Sequence, residues 1–541
     1  MLPDILQVFD TLSKRFWRSI EPCLSVARIL WIHYSQCWFF LLFSLIRLFF
    51  VLCQQIRWHR NGLAEKLARI RDGSNYHESA HILNVHWARK GTPTDKVRLS
   101  QYVTSHHQLT HPKCVLDDKW LLAEITPEYA LFVELRKPLV EYTVRYVTFI
   151  WANLTYEAKR IAVMPITSLQ RLSIEMGKPK DDGANVTFLW GSGRCGSTLI
   201  AKMVDAADPE HLVLSEPPVI MDLYSYKHRM RPEQFHRFFE SAVRLLVKPV
   251  SNKKRIFIKP IFFVLNVAED MNRVLPKARM LYSYRTPLRT IWGHERAFTL
   301  TPFYAAMRLF LMTNEWEWGE RLLGFHRNPK VDYVSRRVLG KGLFDLCSII
   351  WADNYLVYQS QAKKFYFPAI IYDRLYDNAY QFCSEILSFS GANLNGIQNA
   401  LDLLTGDSQE GSLFSQSLLK GLTVTPFTSN RKMRADRFCD ILNLPRLDLE
   451  NGGNRPFAFS ASSFFSPQTT QSCSSNTVET DHKFITDPSQ MVFEIMHAGC
   501  GSSAAMHKIN GHVCGSNMAQ KRPQFQPYYK PLPLQIIFSK D

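Results

Sequence analysis

The residues whose types and spacing carry the most chemistry are Gly191-Ser192-Gly193-Arg194-Cys195-Gly196-Ser197-Thr198. Glycines at these intervals let a backbone curl so that successive N–H groups face one point, an arrangement that holds anions. Asn185-Val186-Thr187-Phe188-Leu189-Trp190 precedes the loop and reads as a short buried strand. Leu199, Ile200, Met203 and Val204 follow at helical spacing. Strand, glycine-rich loop and helix in that order put the positive end of a helix beneath the bound anion, so a phosphate is the expected occupant. The loop fits GxxxxGK[ST] at every fixed position but one, because Ser197 stands where a nucleotide-hydrolysing loop carries lysine. That lysine neutralises the β- and γ-phosphates of a triphosphate. Here the cation sits three residues earlier, on Arg194, and the loop is poorly equipped for triphosphate hydrolysis.

Four later segments read as strands that end in polar or charged residues. His211-Leu212-Val213-Leu214-Ser215 runs into Glu216-Pro217, and Ile256-Phe257-Ile258 ends in Lys259-Pro260. Ala278 to Tyr284 leads into Arg285-Thr286-Pro287, and Phe367 to Ile371 leads into Tyr372-Asp373-Arg374-Leu375. With the loop Gly193-Arg194-Cys195-Gly196-Ser197-Thr198-Leu199, these segments resemble the sulfotransferase superfamily, nearest to its membrane-bound carbohydrate branch. The five segments fall in the family's order over roughly residues 183–395. Three positions depart from its pattern: Cys195 for Ser or Thr, Thr286 for an acid or amide after Arg285, and Gly293 where the family has a serine.

The resemblance implies an α/β fold, a P-loop-type parallel sheet flanked by helices. It implies 3′-phosphoadenosine 5′-phosphosulfate as co-substrate, a hydroxyl or amine acceptor, and no metal. By the same resemblance Gly193, Arg194, Cys195, Gly196, Ser197 and Thr198 hold the 5′-phosphosulfate, and Arg285 meets the 3′-phosphate through the bidentate geometry a guanidinium favours. Glu216 is the expected general base, with His211 and His294 behind it. Lys259 either stabilises charge on the bridging oxygen or snorkels from its strand end, and the sequence does not choose between Thr290 and His294 as substitutes for the serine missing at Gly293. A sulfuryl group carries less charge than a γ-phosphoryl group, so fixed donors and cations suffice where a kinase needs a metal clamp. Two other readings stay open: an ATP-dependent P-loop kinase, and a non-catalytic relative that binds an anion without turnover.

The elements that must position these residues occupy only part of 541 residues. The chain divides into an N-terminal segment (1–29), an apolar segment (30–53), a helical stem or accessory region (54–182), the P-loop-type domain (183–451) and a disordered tail (452–541). With 46% hydrophobic and 21% charged residues it is neither wholly disordered nor polytopic. Eleven cysteines without a CxxC pair exclude a disulfide scaffold and a zinc module.

Leu30 to Cys53 carries no acid, and its inner run from Cys37 has only Ser44 and Arg47 as polar interruptions. Twenty-four helical residues span about 36 Å, enough to cross a bilayer. Arg47 opposes this by about 2.5–3.5 kcal/mol unless it snorkels, and a buried or interfacial helix is the alternative. The resemblance places the catalytic part in the Golgi lumen, on a single-pass anchor. Tyr129, Phe132, Val133 and Leu135, then Tyr142, Tyr146 and Phe149, predict two or three amphipathic helices within Asp117 to Met176. Asn153-Leu154-Thr155 is a glycosylation sequon.

The net charge of +17 permits anionic ligands, nucleic acid or a membrane surface. Between Tyr226 and Pro260 ten basic residues face only Glu233 and Glu240, as solvated helix surface, as a groove for an anionic glycan or as a side turned to a membrane. Phe235, Phe238 and Phe239 in that stretch are spaced for a helix core, which argues against base stacking, and no nucleic-acid partner is expected.

Overall fold

Trp120–Ile125 and Tyr129–Leu135 are buried at every position, so each segment offers apolar side chains to two packed layers. Such runs form strands covered on both faces. In this computed structural model, which describes residues 38–71, 75–89, 97–145, 148–179, 181–251, 253–299, 328–340, 342–409 and 415–447, they belong to an antiparallel sheet. The chain enters through helices α1 (Trp38–Arg60) and α2 (Leu63–Arg71). The sheet follows as β1 (Ala80–Ala88), β2 (Tyr102–Thr110), β3 (Trp120–Ile125), β4 (Tyr129–Leu135) and β5 (Ala158–Pro165), with helices α3 (Ile150–Tyr156) and α4 (Ile166–Met176) on either side of β5. Its spatial order is β2-β1-β5-β4-β3.

The helical expectation for residues 117–176 is met by α3 and α4 but corrected at Tyr129 to Leu135, which form a strand. Tyr129, Phe132, Val133 and Leu135 do recur at helical spacing, but Ala130, Leu131 and Glu134 between them are buried too. Full burial erases the contrast on which periodicity depends. Asn153 lies buried in α3, out of reach of a glycosylating enzyme in the folded protein.

Beyond α4 short apolar strands alternate with helices, a pattern that requires crossovers and a parallel sheet. The strands are β6 (Val186–Gly191), β7 (His211–Ser215), β8 (Arg255–Lys259), β9 (Arg279–Tyr284) and β10 (Ala369–Ile371). All pair in parallel, in the order β10-β9-β6-β8-β7. The five strands expected from sequence are all present, and the α/β parallel-sheet architecture holds. The chain starts at the central strand β6, moves out to β7, returns through β8 and then crosses to β9. The order thus reverses beside β6, the place where open α/β sheets bind ligands at their carboxyl ends.

The two sheets share one core. Leu121, Phe132 and Leu169 belong to the same buried cluster as Phe188, Trp190 and Tyr282. Each such side chain, fully buried, contributes about 1.5–3 kcal/mol. A polar link reinforces the seam: the Arg98 guanidinium donates to Asp222 of α6 (Val219–Tyr226) at 2.7 and 2.9 Å and to Glu124 of β3 at 3.1 Å. The accessory region is thus one half of a common interior. Residues 1–37, Tyr146 and the tail expected from 452 onward lie outside the described residues.

Candidate active site

Each parallel strand delivers its last residues to one edge. Gly191–Gly196 follows β6 and leads into α5 (Ser197–Ala207); Glu216 follows β7; Lys259 ends β8; Arg285 follows β9; Tyr372 and Asp373 follow β10. Around them lies a cavity of about 640 Å³ lined by Gly193, Arg194, Gly196, Ser197, Thr198, Glu216, Lys259 and Arg285 among others. The sequence placed these residues on five separate segments, and the fold brings them together.

The loop backbone turns left-handed at Gly193 (φ 73°), Arg194 (φ 51°) and Gly196 (φ 78°). Close neighbours make two of these glycines necessary. A Cβ on Gly193 would lie 2.5 Å from the His294 ring, and one on Gly196 would lie 1.9 Å from the ring of Tyr372. The first turn of α5 leaves its N–H groups without intrahelical acceptors, as every helix does. They add to the loop's positive potential beside the Ser197 and Thr198 hydroxyls.

Cys195 enters the expected set through its backbone alone. Its side chain is fully buried beneath the loop, within 2.6 Å of where a Cβ on Gly191 would stand, and does not line the cavity. The thiol is packing, and its carbonyl accepts from Ser283 Oγ at 2.8 Å. A buried position explains why a cysteine is tolerated where the family has a hydroxyl.

Arg194 is the electrostatic centre. Nη1 donates to Gln409 Oε1 at 2.7 Å, and burial together with the nearby Arg285 pulls the guanidinium down to about 10. It remains charged at neutral pH, held where a negative group would relieve it. Gly293 follows from the same arginine: a Cβ there would lie 2.8 Å from Arg194 Cβ and 3.2 Å from its Cγ. The space of the missing serine is taken by the side chain that matters most.

Arg285 Nη1 donates to the Arg194 carbonyl at 3.3 Å, and its guanidinium lies 5.5 Å from the Tyr372 ring centroid. Its Nε sits 3.6 Å from Asp373 Oδ1. The Thr286 departure has a reason here, because both its N–H and its hydroxyl donate to Asp373, where an acid would repel. Thr290 Oγ1 donates to the Arg285 carbonyl at 3.3 Å and helps hold that turn.

Glu216 and Lys259 form an ion pair, with side-chain exposures of 16% and 4%. The Glu216 N–H donates to the Lys259 carbonyl at 2.7 Å, and the glutamate is itself left-handed at φ 56°. A non-glycine residue held in that region marks a position fixed by its surroundings. The Lys259 ammonium also lies 5.3 Å from the Phe149 ring.

The two fallback histidines separate. His211 is buried between Asp208 and the Ser390 carbonyl and does not line the cavity, so it has no access to an acceptor. His294 does line it, with Nε2 at 2.9 Å from the Ser192 carbonyl, but burial and then the nearby Arg194 hold its pKa down to about 4. It is neutral at pH 7, with Nε2–H donating to the loop. Its folded pKa lies below its unfolded value near 6.5, so its stabilisation is complete above that pH and is lost as pH falls through about 4. His81, depressed to about 3 by burial, acts in the same direction. Denaturant titrations between pH 7 and 4 are expected to show stability falling by about 3 kcal/mol on account of His294, and His294→Gln should flatten that limb.

Sequence reasoning missed two contributors. Gln409 accepts from Arg194 and donates to Thr198 Oγ1 at 3.4 Å, and Phe149 forms part of the wall beneath Lys259. Neither sits in a motif, and both arrive only through tertiary packing. Of the basic run from Tyr226 to Pro260, Lys259 lines the cavity, and several others are held by acids or carbonyls. Lys227 pairs with Asp270, Arg244 with Glu240 and Lys254 with Glu210, while Lys248 donates to the Val115 and Asp117 carbonyls. Phe235, Phe238 and Phe239 are buried on α7 (Pro232–Leu246), as their spacing predicts.

No family model and no curated protein matches the chain. Among solved structures it is similar to the sulfotransferase domain from the Synechococcus PCC 7002 olefin synthase, at 14% identity over 48% of this chain and 97% of that one, with a TM-score of 0.27. It is similar to the sulfotransferase domain from the curacin biosynthetic pathway, at 13% identity over 48% and 98%, with a TM-score of 0.28. A sulfotransferase from Mycobacterium tuberculosis H37Rv matches at 11% identity over 50% and 81%, with a TM-score of 0.26. At these scores the chemistry of the site is read from its own residues.

Proposed function

We propose that this protein transfers a sulfuryl group from 3′-phosphoadenosine 5′-phosphosulfate to a hydroxyl, with a carbohydrate as the acceptor that the sequence resemblance implies. The observation that carries the reading is Arg194: a half-buried guanidinium in a left-handed glycine loop, beside a second arginine, with serine where a nucleotide-hydrolysing loop has lysine. The donor set fits an anion with separate phosphate and phosphosulfate groups. Loop N–H groups, the Ser197 and Thr198 hydroxyls and Arg194 would hold one, and Arg285 the other. When bound, that co-substrate supplies the sulfuryl group on a phosphate leaving group.

The chain's own residues do the rest. Arg194 and the start of α5 stabilise charge on the departing oxygen. Glu216 takes the acceptor proton; among the described residues lining the cavity, the other acid and the histidine are held by backbone groups. Asp407 accepts from the N–H groups of Gln409 and Gln416, and His294 is bound to the loop. Lys259 holds Glu216 in place and faces the same space. The resemblance also implies a Golgi protein with this domain lumenal. α1 is apolar and long enough to cross a membrane, a property that a helix lying on a bilayer surface shares, so it supports membrane attachment and not the lumenal placement.

Calorimetric titration of the full chain with 3′-phosphoadenosine 5′-phosphate, with and without Mg²⁺ and beside ATP, tests the assignment. Metal-independent binding of the bisphosphate with ATP much weaker is expected. Failure to bind it, or ATP binding that requires Mg²⁺, would return the chain to the kinase or non-catalytic readings.

A further inference from the structure

The hydrogen-bonding side chains of α1 between Ser44 and Gln55 face the protein, while Arg57, His59 and Arg60 in its last turn are exposed. Ser44, Arg47, Gln54 and Gln55 share one side of the helix with Phe43 and Trp58, and all of these are buried or half-buried. Arg47 Nε donates to the Tyr102 carbonyl at 3.2 Å, and Gln54 Nε2 donates to the Thr104 carbonyl at 3.3 Å. The opposite arc holds Trp38, Leu41, Leu42, Leu45, Phe49 and Ile56, each exposed, Phe49 by 64%. A helix that turns polar groups inward and apolar groups outward has hydrocarbon as its natural surroundings, the reverse of the usual surface helix.

Its direction is fixed by two contacts. The Phe43 ring lies 4.9 Å from that of Trp87, and the Trp58 ring 5.4 Å from that of His81. From 43 to 58 the helix advances about 22 Å, and from 87 back to 81 β1 covers about 20 Å. The helix therefore runs alongside β1 and β2 for most of its length. A bilayer crossed by α1 would have to admit β2, an edge strand that exposes His106, His107 and Gln108. Open sheet edges do not occur inside hydrocarbon.

We propose that α1 lies in the plane of a bilayer surface, with its outward arc sunk into the boundary between headgroups and acyl chains, and does not cross. Arg57 and Arg60 close the helix at one end of the apolar arc, and Lys66, Arg69 and Arg71 follow on α2. This cluster suits anionic headgroups, which long basic side chains reach by snorkelling. The occupant of the face is thus a lipid surface. This inference concerns α1 alone and stands apart from the reaction in the cavity.

A nitroxide side chain placed by an unnatural amino acid at 41, 45, 49, 52 or 56 of the full chain reads its depth in phosphatidylcholine vesicles containing phosphatidylserine. All five positions are expected at one shallow depth, about 5–10 Å below the phosphates. Depths that run across the membrane over about 22 Å between 41 and 56 would show a span and overturn the proposal. So would failure to partition, or labels shielded from lipid and water alike by a second copy of the chain. Leu45→Lys with Leu52→Lys should weaken partitioning roughly 10²-fold or more without moving the unfolding temperature, because neither side chain packs on the sheet. Unchanged partitioning in that variant would count against the apolar arc.

Discussion

Arg194→Ala is expected to weaken binding of 3′-phosphoadenosine 5′-phosphate by roughly 10²–10³-fold, the equivalent of about 3–4 kcal/mol of charge-assisted hydrogen bonding, while leaving the unfolding temperature unchanged or higher. The second half separates a ligand-binding arginine from a structural one. Burial and Arg285 already depress this guanidinium to about 10, so its charge is a cost to the empty fold. Truncation removes that repulsion, and the Gln409 amide it releases still contacts Thr198 Oγ1. Arg194→Lys should fall between, keeping a charge but losing the fork that grips an anion at two points. Isothermal titration beside a thermal melt reads both. Wild-type affinity in the alanine variant, or a large fall in stability with affinity intact, would assign Arg194 to the architecture.

Glu216→Gln is expected to lower turnover by about 10²–10⁴-fold, the usual contribution of a positioned base, with bisphosphate affinity retained. The Lys259 pair complicates any single substitution, because removing one member of a buried pair strands the other at a cost of about 3–5 kcal/mol. The double variant Glu216→Gln with Lys259→Met resolves this. With both charges gone, stability should recover much of what the single variant loses, and turnover should not. Recovery of turnover along with stability would make the pair a strut between β7 and β8 and leave the base unassigned.

The parallel half of the fold was legible because its signals are local. A loop such as Gly191 to Thr198 needs glycine at fixed places to curl, and the strand before it needs a run like Phe188-Leu189-Trp190. Both requirements are written in adjacent residues. Glu216, Lys259 and Arg285 were found because each ends a strand. The antiparallel half was misread because full burial makes Tyr129–Leu135 apolar at almost every position, which suits a period of 3.6 as well as one of 2. The apolar helix runs on to Arg60, past its expected end at Cys53, for a related reason: Gln54, Gln55 and Trp58 look like the end of a membrane run, yet they continue the helix on its protein-facing side. Gln409 and Phe149 were out of reach because nothing beside them in sequence distinguishes them.

The common interior of the two sheets sets a schedule for synthesis. The antiparallel sheet is complete when Pro165 leaves the ribosome, but the buried cluster it belongs to also takes in Phe188, Trp190, Tyr282 and finally Phe367. At typical elongation rates of about 5–20 residues per second, that gap leaves a half-built core waiting roughly 10–40 s for its partners. For that interval the nascent chain presents apolar strands and an uncovered helix to its surroundings, so its yield in a cell depends on what shelters it until the second sheet arrives.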